Sequence, residues 1–140
     1  MGQPVRCGPT DVEWWGLSDA KCREITAAHP GGAAHIWGSL DRARVERMQP
    51  GDLVLFVGDH HVHHIGQVGV TFHSPSFGRV YWQPVRGRAF ETAYTLSSLL
   101  DLGDDYPTAD VWEVVGYDPG VFPKKWRLDS RREFVDVSIS

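Results

Sequence analysis

The apolar and polar positions fall into short runs of strand or helix length, separated by Gly, Pro, Ser and Asp. Val12-Glu13-Trp14-Trp15-Gly16-Leu17 is rich in β-prone residues and predicts a strand over 12–17. Ser18-Asp19 then offers an N-cap to a helical run over 20–28, which Pro30-Gly31-Gly32 breaks. The piece "AHIWGSL" reads as extended. Asp41 or Ser39 caps a second helix over 42–48, and Pro50-Gly51-Asp52 stops it.

Leu53-Val54-Leu55-Phe56-Val57 is a continuous apolar run of strand length, and a second strand is expected over 65–72. The polar segment between them makes the pair a β-hairpin. A further strand is predicted over 79–85, after the turn residues Ser74-Pro75-Ser76-Phe77-Gly78, and a short helix over 95–100. An acidic loop over 101–110, a strand over 111–117 and a last strand over 133–137 complete the pattern. Several short strands interrupted by two or three helices predict an α+β fold, a mixed barrel or strongly curved sheet with helices packed around it.

At 140 residues the chain is expected to form a single domain, 1–140. Its 41% hydrophobic content is that of a globular protein. No apolar run reaches the roughly 18 residues needed to cross a bilayer, and the start carries no signal-like core, so a cytoplasmic protein without a membrane partner is expected. Cys7 and Cys22 have no CxxC spacing and read as free thiols. The net charge of −4 argues against a protein that coats nucleic acid by bulk positive potential. Six of the 18 acidic residues lie in 101–118, where there is no Lys or Arg, so the remainder of the chain carries a net +2 and leaves room for a local basic face.

"GDHHVHHIG", residues 58–66, places four of the seven histidines within five positions. In an extended segment His61 and His63 face one way and His60, Val62 and His64 the other, so no more than two share a side. Zinc takes three or four ligands in fixed geometry, and neither HExxH nor a CxxC partner is present. The leading reading is a solvated hairpin tip, with an anion-contacting surface next and a metal site last.

Six tryptophans are many for this length, and two of them, Trp37 in "HIWGSL" and Trp82 in "VYWQPV", stand at loop entries where an indole can line a pocket or fill a core. The order of "EWWGLSD", "HIWGSL", "MQPGDLVLFV" with "HIGQVGV", then "VYWQPV" and "AYTLSSLL", over most of residues 12–100, resembles the EVE and YTH branches of the PUA-like superfamily.

The resemblance implies a PUA-like curved mixed β-barrel whose pocket accepts a single base extruded from a nucleic acid strand and held between aromatic rings. Trp37 and Trp82 match the family's cage tryptophans, Ser39 the small polar residue after the first of them, and Ser18 the serine that helps hold the base. Trp14 or Trp15 can line the pocket or fill the core. His35 and Asp52 are candidates for the base edge, although "QPGD" is also a turn signature. Arg42, Arg44, Arg79 and Arg86, with Arg88 beside them, are candidate contacts to the phosphate backbone. The tail "KKWRLDSRREFVDV" looks like the family's basic segment and adds Arg127, Arg131 and Arg132. The acidic balance and the want of a clear third cage aromatic depart from the YTH pattern, so adenine-methyl specificity does not carry over.

No catalytic motif, paired carboxylate or phosphate-cradling loop stands out, and no cofactor is implied. EVE-type domains are similar to the specificity modules of modification-dependent restriction endonucleases. The expectation is therefore a non-enzymatic module that flips a modified base in DNA, 5-methyl- or 5-hydroxymethylcytosine first, with any nuclease activity in a separate domain. Two rivals stand beside it: a small histidine-based metal-dependent hydrolase, and an RNA-binding PUA-like module indifferent to modification.

Overall fold

The structure is a computed structural model that describes residues 3–110, 125–128 and 133–139, the last two stretches by their backbone. The fold is mixed α and β, a largely antiparallel set of strands with a few short helices. The chain divides into two compact units, residues 1–50 with 68–97, and 51–67 with 98–140.

The first unit holds β1 (Val5–Arg6), a 3-10 turn (Glu13–Trp15), α1 (Asp19–Ala28), β2 (Ala33–Ser39), α2 (Arg42–Glu46) and α3 (Pro75–Tyr81). To these it adds the end of β4 (His61–His73) and the start of β5 (Thr92–Asp101), both of which run through the two units. Its strands lie in the order β1-β2-β5-β4. The β2–β5 register sets Trp37 opposite Tyr94 and Gly38 opposite Ala93. One face of β2, carrying Ala34 and Ile36, packs into a core with Ile25, Val70, Phe72, Phe77 and Trp15. On the β4–β5 side a buried polar link joins His29 Nε2 to Thr95 Oγ1 at 2.6 Å, and the same oxygen accepts from Val70 N–H at 2.9 Å.

The second unit holds β3 (Leu53–Gly58), β6 (Lys125–Leu128) and β7 (Glu133–Ile139), in the order β4-β3-β7-β6. Strand β3 is interior, antiparallel to β4 and parallel to β7, which explains why Val54, Leu55, Phe56 and Val57 are all buried with no polar alternation. Asp59 and His60, with φ of 49° and 61°, form the two-residue hairpin turn of the primed type that matches strand twist. In each unit the terminal strand, β1 or β6, pairs with one neighbour, so no hydrogen-bonded closure is present among the described residues.

Both expected helices over 20–28 and 42–48 form, the first capped by Ser18 and the second by Asp41, whose carboxylate accepts from Arg44 N–H. Three expectations are corrected. The segment 12–17 is a 3-10 turn, closed by Trp15 N–H bonding Val12 O and ended by Gly16 at φ 71°. Residues 75–81 form α3 because Ser74 caps Phe77 N–H and Pro75 supplies a preset first-turn φ, local signals that outweigh the β propensity of Val80 and Tyr81. The region 95–100 is strand rather than helix, since β-branched Thr92 and Thr95 sit on the buried part of β5 paired with β2. The expected strand over 111–117 lies outside the described residues.

Candidate functional site

Three local features build an aromatic pocket in the first unit. Ser74 Oγ accepts from Phe77 N–H and donates to Trp15 O, which ties the start of α3 to the 3-10 turn. Phe77 and Tyr81, one helical turn apart, then share a face of α3 and lie 4.4 Å apart. Trp14, projecting from the 3-10 turn, lies nearly parallel to both, with centroids 6.0 Å from Phe77 and 6.3 Å from Tyr81. Trp82, just past the helix, closes against Phe77 at 5.3 Å.

Two glycines make this packing possible. A Cβ on Gly78 would stand 1.7 Å from Phe90 O, so only glycine lets α3 lie against that backbone. A Cβ on Gly38 would stand 3.0 Å from the Trp82 ring, so the indole lies directly on β2 there.

The resulting cavity measures about 490 Å³ and is bordered by Trp14, Ile36, Trp37, Phe77, Tyr81 and Trp82, with Arg6 and Asp11 among its polar groups. That size falls in the usual range for a small organic ligand. Trp14 and Tyr81 are each 45% exposed while Phe77 is buried, so the wall is partly open to solvent over a buried base. Asp11 Oδ2 accepts from Gly8 N–H at 3.0 Å, which fixes the carboxylate. Beside it, burial first and the Asp11 charge second push the Cys7 thiol up, making it a packed, unreactive group. No family model, curated protein or solved structure matches the chain.

The expected site residues separate accordingly. Trp82 borders the cavity. Trp37 also borders it, but alternation along β2 sends its side chain to the face opposite Ile36 and Gly38, and Trp82 lies on the Gly38 side. Trp37 thus leaves β2 on the face away from Trp82. Trp15, 1% exposed and packed against Phe72 and Phe77, is core; its neighbour Trp14 takes the wall position. Ser18 is spent as the α1 cap, accepting from Lys21 N–H, and is not at the cavity. His35 and Ser39 share the Trp37 face of β2 and lie outside it, with Ser39 Oγ accepting from Asp41 N–H. Asp52 follows Gly51 at φ 91°, as a turn residue does, and is buried in the second unit.

Of the arginines, Arg42, Arg79 and Arg86 are exposed and Arg44 is half-buried. Arg42 pairs with Glu46 at 2.6 Å. Arg127 lies on β6, described by backbone, and Arg131 and Arg132 lie outside the described residues. Tyr81, Phe77, Arg6 and Asp11 were not singled out from the sequence. The i, i+4 spacing of Phe77 and Tyr81 is the available signal, and the strand-like pattern of 79–85 masks it.

The histidine cluster is organised around backbone carbonyls. His61 Nδ1 lies 2.6 Å from Asp59 O, and the two ring nitrogens of His63 lie 3.0 Å from Gly103 O and 2.7 Å from Gly58 O. Since carbonyls only accept, both His63 contacts are satisfied together by the imidazolium. These bonds, with the Asp104 carboxylate 3.1 Å away, hold its pKa above the ordinary value. His64 packs edge-on against Phe56 and sits 3.9 Å from Asp101. Among the described residues no three His, Cys, Asp or Glu side chains are grouped to hold a metal ion, and no helix is long and apolar enough to cross a membrane.

Proposed function

We propose that the chain is a nucleic-acid recognition module that receives an extruded base on the aromatic wall of Trp14, Tyr81 and Trp82. The observation that carries this reading is one cavity in which three indole and phenol rings, two of them nearly half exposed, meet a fixed carboxylate. A flat heteroaromatic ring with hydrogen-bonding edges suits that combination better than an aliphatic or a highly charged ligand does.

Extruding a base costs a few kcal/mol, and stacking returns roughly 1–3 kcal/mol per base, so an aromatic wall approximately offsets the extrusion. Asp11 accepts, which matches the exocyclic amine of cytosine. A 5-methyl or 5-hydroxymethyl group adds apolar contact against the rings, worth about 1–3 kcal/mol by analogy with methylene discrimination. Modified cytosine in DNA is thus the leading ligand, and the role is that of the specificity domain of a modification-dependent restriction endonuclease, with cutting done by a separate nuclease domain. The finer architecture, a PUA-like barrel of the EVE or YTH type, belongs to this proposal and rests on the motifs quoted above.

The test is a binding panel of DNA bearing cytosine, 5-methylcytosine or 5-hydroxymethylcytosine against matched RNA, at one stated ionic strength because backbone affinity falls steeply with salt. Modified DNA should bind more tightly, and Trp82→Ala or Tyr81→Ala should remove that preference. Equal binding of modified and unmodified RNA would favour the PUA-like RNA module, and stoichiometric zinc or iron in the purified protein would favour the hydrolase.

A further inference from the structure

A second cavity of the first unit, about 310 Å³, is bordered by Ser39, Arg42, His73, Arg88, Glu91 and Thr92. Where the first is aromatic, this one is lined by donors. We propose that it binds a phosphate group, held between the guanidinium groups of Arg42 and Arg88.

Both arginines are positioned in advance. Arg88 closes a two-residue turn in which Arg86 and Gly87 have φ of 51° and 75°, with Val85 and Arg88 exchanging backbone bonds of 2.9 Å in each direction. Its Nη2 also donates to Leu40 O at 3.3 Å. Arg42 is held through Nε by Glu46 Oε1 at 2.6 Å, so its two terminal nitrogens remain for a ligand. Each guanidinium is thus fixed at one edge and presents the other, which lowers the ordering cost of binding an anion.

Ser39 Oγ accepts from Asp41 N–H, leaving its own O–H to donate. Thr92 Oγ1 and His73 Nδ1 are engaged with each other at 3.0 Å and set the rear of the cavity. Two guanidinium forks and a hydroxyl supply more donors than the two oxygens of a carboxylate can use, and phosphate oxygens match them. Among the described residues bordering the cavity, Glu91, whose carboxylate is 3.8 Å from His73 Nε2, is the one acidic side chain. It opposes the anion, and its removal therefore has a predictable sign.

The site stands independently of the base-binding reading. If both hold, the two cavities are linked by β2: residues 36–37 border one and 39–40 the other, a step of three residues or about 10 Å. A phosphodiester beside an extruded base and a free phosphate present the same chemistry here.

The experiment is a titration of the folded chain with inorganic phosphate against chloride at matched ionic strength, followed by amide resonances of Leu40, Arg88 and Glu91, and repeated with an unmodified DNA oligonucleotide. Saturable shifts confined to this cavity are expected, with Arg42→Gln and Arg88→Gln each weakening binding roughly tenfold and Glu91→Gln tightening it about two- to fivefold. All three side chains are at the surface, and unchanged amide spectra elsewhere confirm that the variants fold. The phosphate is a strand's diester if the oligonucleotide gives the same shifts at lower concentration, and a free phosphate if it does not. Absent or unsaturable shifts, indifference to both arginine changes, or weaker binding in Glu91→Gln would each overturn the proposal.

Discussion

At the scale of single residues, adjacent tryptophans have opposite duties. Trp15 is sealed among Phe72 and Phe77, so Trp15→Ala should cost roughly 3–5 kcal/mol in denaturant unfolding. Trp14, 45% exposed, loses little on truncation to Ala by the same measure. It should instead weaken modified-oligonucleotide binding about thirtyfold, the middle of the stacking range. A Trp14→Ala protein that binds as tightly as the parent would remove that ring from the site. Gly78 is a sharp steric constraint: a methyl group there meets Phe90 O. Gly78→Ala should cost about 3 kcal/mol or more, seen as a lowered melting temperature, and should dissolve the aromatic wall with it.

At the scale of elements, α3 is the piece on which the pocket depends. Ser74 joins it to the 3-10 turn through a cap and a bond to Trp15 O, so Ser74→Ala should cost roughly 1–3 kcal/mol in equilibrium unfolding because it removes a cap and leaves a buried carbonyl unpaired. The helices over 20–28 and 42–48 and the hairpin of β3 and β4 were legible in the sequence, since caps and turn residues act within a few positions. The identity of 75–81 and 95–100 was not. In the first, the Ser-Pro start overrode the apparent strand pattern of "RVYWQPV"; in the second, pairing of Thr95 and Leu96 with β2 decided the matter, and such a long-range partner leaves no local trace. The faces that Trp37 and Trp82 occupy were not legible for a related reason. Face assignment depends on strand register, which becomes visible only once Gly38 is seen beneath the Trp82 ring.

The two units carry histidines of opposite pH response. His63, between Gly58 O and Gly103 O, has a pKa raised in the folded chain, so its contribution is full below the ordinary 6.5 and is lost as pH rises through the folded value. His29 is lowered by burial, so its contribution is full above 6.5 and is lost as pH falls. Amide hydrogen exchange, corrected for intrinsic rates, should show Leu102, bonded to His63 O, protected better at pH 5.5 than at pH 8. Val70, bonded to Thr95 beside His29, should show the reverse. Parallel responses at both amides would contradict these assignments.

At the scale of the whole molecule, an acidic chain with an aromatic cavity and a donor-lined cavity in one unit suits the proposed reader of single bases better than a coat for a charged strand. The number of tryptophans signalled a pocket, but not which of them form it. Their indole N–H resonances provide the most direct test. On titration with 5-methylcytosine DNA, those of Trp14 and Trp82 should shift saturably while Trp15 stays unmoved and Trp37 moves little. A titration that shifts Trp37 alone, or leaves Trp14 and Trp82 where they were at full occupancy, would contradict the account.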